Sequence, residues 1–132
     1  MLNLSQLQSK PTKGMDTILL QEKIDRLLNT VRLLIPDGGN MRYVYSDDLA
    51  QLNKSIHDQI NELYFQQGGT IEQEAALCFA ILMGYSVSMY TDPEDEFQKK
   101  SILQRSRRLL ENILNFSLRQ QLSVICHEME LI

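Results

Sequence analysis

The sequence predicts an all-α fold: a single compact domain of about five helices around one buried central helix. Three observations carry this. Residues 77–83 are apolar without interruption, so a helix there has no wet face and needs neighbours on several sides. Three other long stretches repeat apolar residues at i, i+3 and i+4, the spacing of one helix face. Only residues 41–46, MRYVYS, alternate even weakly, and one strand makes no sheet. A short stack of helical hairpins, as in a solenoid, is the alternative architecture.

The chain of 132 residues is 43% hydrophobic and 23% charged, as expected of one globular domain that buries roughly two-thirds of its unfolded surface. Residues 1–15, with Pro11 and Gly14 and no sustained period, read as a mobile N-terminal arm ahead of a domain over 16–132. They lack the basic and then apolar regions of a signal peptide. The uncharged run 75–91 has 17 residues, at the lower edge of membrane-spanning length. It is diluted by Gly84, Ser86 and Ser88 and flanked by acids, so a buried soluble helix is expected and no membrane partner. Cys78 and Cys126 lie in apolar surroundings far apart in sequence, which fits two reduced core thiols and a cytoplasmic location.

The first helix is expected over 16–35, with Asp16 as N-cap and Ile18, Leu19, Ile24, Leu27, Leu28, Val31, Leu34 and Ile35 turned inward. Pro36 ends it, because the residue before a proline is biased away from helical backbone. PDGGN, residues 36–40, is a turn and lacks the Lys and Ser/Thr of a phosphate-binding loop. Ser46 or Asp47 caps a second helix with the stripe Leu49, Leu52, Ile56, Ile60, Leu63 and Tyr64. Gly68 and Gly69 close it and make an antiparallel hairpin with the third.

The central helix, 70–90, opens with Thr70 and Gln73 in capping-box spacing, and Glu72 and Glu74 suit its N-terminal dipole. Leu77, Phe79, Ala80, Ile81 and Met83 are expected at the centre of the core. Ala76, Ala80 and Gly84 form a row of small residues where another helix can approach closely. Pro93 then starts a fourth helix, 93–114, with Phe97, Ile102, Leu103, Leu109, Leu110, Ile113 and Leu114 inward and Arg105, Arg108 and Asn112 outward. A fifth places Leu118, Leu122, Val124, Ile125 and Met129 inward, Arg119 and Gln121 outward.

No arrangement of residues declares a chemistry. Cys126, His127 and Glu128 invite a metal reading together with Cys78 and His57, but zinc sites use two ligands separated by two to four residues, and adjacent helical side chains diverge by about 100°. The zincin motif begun at His127 would need its second histidine at Leu131. Asp47–Asp48, Glu72/Glu74 and the acids of 92–96 all fall at predicted helix starts, where the dipole already accounts for carboxylates. No catalytic, cofactor-binding or metal-binding residue is therefore assigned, and neither a cofactor nor a small-molecule substrate is expected. A metal-independent helical enzyme remains the alternative from another class.

Charge is segregated. Residues 71–96 hold six acids and no Lys or Arg, whereas 97–132 hold six bases against three acids. Lys99, Lys100, Arg105, Arg107, Arg108 and Arg119 invite a nucleic-acid reading. The overall charge of −4 and the lack of a helix-turn-helix or base-stacking signature argue against direct nucleic-acid binding. Glu94, Asp95 and Glu96, expected exposed at a helix start, are the candidate partner-binding residues, placed to steer a basic protein.

Two stretches carry a family resemblance. YSDDLAQLNKSIHDQINELY, residues 45–64, and GTIEQEAALCFAILMGYSVSMYTD, residues 69–92, resemble the UpxZ family, small regulators from bacterial capsular-polysaccharide loci. The matching positions are Tyr45-Ser46-Asp47, Gln51-Leu52-Asn53, Glu72, Glu74-Ala75, Leu77-Cys78 and Leu82-Met83-Gly84-Tyr85, within about a third of the chain. The resemblance implies a transcription antitermination antagonist that inhibits NusG-like, UpxY-type antitermination factors of other capsule operons. It offers no catalytic residues and no mapped contact residues to carry over.

Overall fold

The computed structural model describes residues 13–34, 46–88 and 93–130. Among them are five helices and no strand: α1 Lys13–Arg32, α2 Ser46–Tyr64, α3 Ile71–Val87, α4 Pro93–Leu110 and α5 Phe116–Glu130. Helix α3 packs against all four others, while α1 also packs on α2 and α4 on α5. One helix at the hub distinguishes this arrangement from a solenoid, in which each unit touches only its neighbours.

The hub follows from the all-round apolar sequence of α3. Leu77, Cys78, Ala80, Ile81 and Leu82 are fully buried, and burying each large aliphatic side chain contributes about 1.5–3 kcal/mol of transfer free energy. Ile24 and Leu27 of α1, Ile56 and Ile60 of α2, Ile102 of α4 and Leu122 of α5 close over it. Gly84 allows the closest approach: a Cβ there would lie 2.7 Å from Ile60 Cδ1 and 3.3 Å from Ile56 Cγ2.

Thr70 caps α3 as expected, its Oγ1 accepting from the Gln73 amide at 3.0 Å. Gln73 completes the cap one residue further out than a standard box, accepting from the Gly69 amide at 2.8 Å. Its Nε2 donates to Thr17 O of α1 at 2.9 Å, so one amide both starts the central helix and fastens the first. At Gly68 a side chain would collide with the backbone of Gln73 and Glu74; close packing on the next helix explains this glycine, four residues beyond the end of α2.

Several expectations are corrected. Helix α1 begins at Lys13, which puts Asp16 in its first turn and not at the cap, and leaves Ile18 and Leu19 exposed. The other residues of the expected arm, 1–12, lie outside the described residues, as do Ile35, the turn 36–40, the extended segment 41–45 and residues 89–92. So do the side chains of Ser46 and Asp47. Helix α4 stops at Leu110, four residues early. A turn closes from the Asn112 amide to Leu109 O, Glu72 Oε2 accepts the Leu114 amide at 2.8 Å, and Asn115 caps α5 by accepting from Leu118 N at 2.9 Å. These capping bonds compete successfully with a longer helix and leave Leu114 90% exposed.

Within α4 the inward arc is Asp95, Gln98, Ile102 and Ser106. Phe97 falls on the opposite arc with Lys100 and Gln104 and is 70% exposed. In the hub, Leu77, Ala80 and Ile81 are buried, but Phe79 and Met83 are only half-buried. Val124 of α5, expected inward, is 50% exposed. Phe79, Met83 and Val124 line one groove, between α3 and α5.

Candidate partner-binding surface

Of the three acids singled out from sequence, only two are surface charges. Glu94 and Glu96 are exposed in the first turn of α4, and Lys99 pairs with Glu96 at 3.3 Å. Asp95 is 5% exposed. Its Oδ1 lies 2.9 Å from His57 Nε2, and Asn61 Nδ2 lies 3.4 Å from the other ring nitrogen. A proton on Nε2 satisfies all three groups, with the imidazole donating to the carboxylate and accepting from the amide. Asp95 is a tie between α2 and α4. Three consecutive residues do not share one surface, because successive helical side chains rotate by about 100°.

Arg105, expected outward, reaches back across the bundle. Its Nη2 donates to Glu74 Oε2 at 2.6 Å and to Gln66 O at 3.2 Å; Nε donates to the same carboxylate oxygen at 3.0 Å and Nη1 to Tyr64 O at 3.2 Å. Glu74 Oε1 accepts from the Gly68 amide at 2.8 Å. One guanidinium therefore joins the end of α2, its loop, the start of α3 and α4. Arg107 pairs with Glu130, whereas Lys100 and Arg108 are exposed on the outer arc with Phe97 and Gln104. The basic stripe is thus partly structural.

The thiols are free and buried. Burial pushes the Cys78 thiol from 9.0 up to about 11, and burial likewise raises Cys126. Neither is poised as a nucleophile. Among the described residues no group of three or more His, Cys, Asp or Glu side chains is placed to hold a metal ion, and no helix is long and apolar enough to cross a membrane.

Two hollows bracket the hub. One, of about 450 Å³, lies between α1 and the α2–α3 loop, where the exposed side chains are mostly polar and Lys23 is held by Glu62 at 2.8 Å. The other, of about 280 Å³, is the groove between α3 and α5, with Phe79, Met83, Val124 and Ile125 along it and Gln121 and Glu128 at its edge. Neither brings together an acid, a base and a nucleophile.

Comparison with known proteins gives the family. The UpxZ family of transcription anti-terminator antagonists matches residues 24–128, from the middle of α1 almost to the end of α5. The chain belongs to the UpxZ family. The crystal structure of a transcription anti-terminator antagonist UpxZ from Bacteroides uniformis superposes with a TM-score of 0.71 at 28% identity, over 82% of this chain and 66% of that one. The chain thus spans just under two-thirds of that UpxZ protein's length. Comparison with curated proteins found no match. The UpxZ match reaches well beyond residues 45–64 and 69–92, so α1, α4 and α5 are also family structure. Membership places the chain in a family described as transcription anti-terminator antagonists.

Proposed function

We infer that the protein acts in the cytoplasm by binding a NusG-like, UpxY-type antitermination factor of a capsular-polysaccharide operon and preventing its loading onto the transcription machinery. The family match over residues 24–128 carries this reading. It is supported by the apolar groove beside α5. Glu94 and Glu96 act as rim charges that steer a basic partner and set association rate more than affinity. Asp95 takes no part in contact.

The test is titration of the purified protein against antitermination factors from several capsule loci, read as complex formation and as loss of terminator read-through in a reconstituted transcription reaction. Binding to at least one factor with loss of read-through is expected. Failure to bind any of them rejects the reading.

One observation favours a second reading. Phe97, Lys100, Gln104 and Arg108 form an exposed strip along α4 with no acid in it, the combination of ring and cations that suits single-stranded nucleic acid. Salt-sensitive binding of bare RNA or DNA, abolished by Lys100→Glu with Arg108→Glu, would support it.

A further inference from the structure

We propose that the groove between α3 and α5 is the docking surface for the protein partner, and that it takes an apolar helix flanked by Lys or Arg. The proposal rests on the antagonist reading and adds the surface and the chemistry of what fits it. The hub helix packs against four others, and one line along it is left partly open. There Ala76, Phe79 and Met83, at i, i+3 and i+7, are only half-buried. The facing wall is Ser117, Gln121, Val124 and Glu128 of α5, at i, i+4, i+7 and i+11. At 1.5 Å rise per residue that wall is about 16 Å long, enough for about three turns of a partner helix presenting its own i, i+3/i+4, i+7 anchors.

The apolar surface continues past the groove's mouth. Glu72 holds the Leu114 amide, which brings Leu114, Phe116 and Ile71 to the end where α3 and α5 both begin. All three are exposed, Phe116 by 74%. A run of large apolar groups extending from a half-buried floor is the usual mark of an interaction site.

Charge decides the occupant. Glu128 lines the groove and Glu72 stands at its mouth, while no Lys or Arg lines it. Two carboxylates repel phosphate and attract cationic side chains, so the groove suits a protein segment with basic flanks and not a nucleic acid. The basic strip on α4 lies on another face of the bundle.

Val124→Asp places a charge on an exposed position of the wall, and Leu33→Ser, at an exposed position just past α1, is the control. Both are expected to melt with the wild type. Titrated against the antitermination factors described above, Val124→Asp should weaken binding by about tenfold or more, as a lost interface anchor does. Glu128→Lys should slow association and reduce its salt dependence, and Leu33→Ser should bind as wild type. Wild-type binding by Val124→Asp and Glu128→Lys overturns the groove while leaving the antagonist reading intact. No binding by the wild type overturns both. Two further results would assign another occupant and overturn the proposal: a wild-type dimer in sedimentation that Val124→Asp dissociates, or tighter partner binding by Leu4→Asp/Leu7→Asp, which would mean that residues 1–12 occupy the groove.

Discussion

Replacing Arg105 with Met should destabilise the protein far more than any other change to an α4 base. Its guanidinium makes four hydrogen bonds, two to one oxygen of Glu74 and one each to Tyr64 O and Gln66 O, and both members of the ion pair are less than one-fifth exposed. Removing one partner of a buried pair costs about 3–5 kcal/mol. Residual water access to Glu74 and to the loop carbonyls lowers this to about 2–3 kcal/mol. With an unfolding entropy of about 2.1 cal/mol/K per residue over 132 residues, each kcal/mol moves Tm by about 3.6 °C, so a fall of roughly 7–11 °C is expected. Arg105→Lys should lose roughly half as much, since an ammonium keeps the charge but cannot span a carboxylate and two carbonyls together. Glu74→Gln in the Arg105→Met background should recover about 1–2 kcal/mol, because the unpaired carboxylate is the costly remnant while an amide oxygen still accepts from Gly68. Differential scanning calorimetry of the four proteins measures this. An Arg105→Met protein melting within 2 °C of wild type would refute the claim that the cluster fastens α4 to the hairpin.

Gly84→Leu should wedge α3 from α2 against Ile60 and Ile56 and cost about 1–3 kcal/mol by denaturant titration, with Gly84→Ala milder because the closest atom is the tip of a flexible side chain. Glu94→Lys with Glu96→Lys should lower Tm by only a few degrees, through the helix dipole and the lost Lys99 pair, and slow partner association at low salt, whereas Asp95→Lys, facing His57 in the interior, should lower Tm more than both together; equal melting of the two would reject the division. Cys78 and Cys126 should resist iodoacetamide at pH 8 in the native protein and react on unfolding. Because burial raises Cys78 from 9.0 to about 11, the unfolded state loses its proton first as pH rises. Stability from this thiol is therefore full below pH 9 and declines by roughly 2–3 kcal/mol in passing to pH 11; Cys78→Ser, compared with wild type over that range, should flatten the decline.

Periodicity made the hub legible, because an uninterrupted apolar run at Leu77–Met83 admits only burial by several helices. The Thr70 cap and the tight packing of Gly84 were also readable, each being a local rule. Helix α4 was harder. Its outward phase at Phe97 and inward phase at Asp95 depend on which face meets α2, a fact of tertiary structure that three acids in a row conceal. Arg105 was misplaced for the same reason: a long charged side chain at the edge of a helix is read as wet until a buried carboxylate lies within its reach. Val124, Phe79 and Met83 are apolar at core spacing, and nothing in their pattern distinguishes a covered position from the wall of a groove. The contact surface was therefore the least legible part of the chain.

Among the described residues the hub precedes α4 and α5 in chain order, and this has a consequence for synthesis. When α3 has left the ribosome, α4 and α5 have yet to follow, and the faces that receive Ile102 and Leu122 are still bare. The α2–α3 hairpin, built from contacts close in sequence, is the natural first unit to form. It must wait with half of its most apolar helix in water until α4 arrives and Arg105 takes Glu74. A chain stalled or cut within α4 would present that open face to any other nascent chain nearby, and aggregation, not a shortened functional domain, is its expected fate.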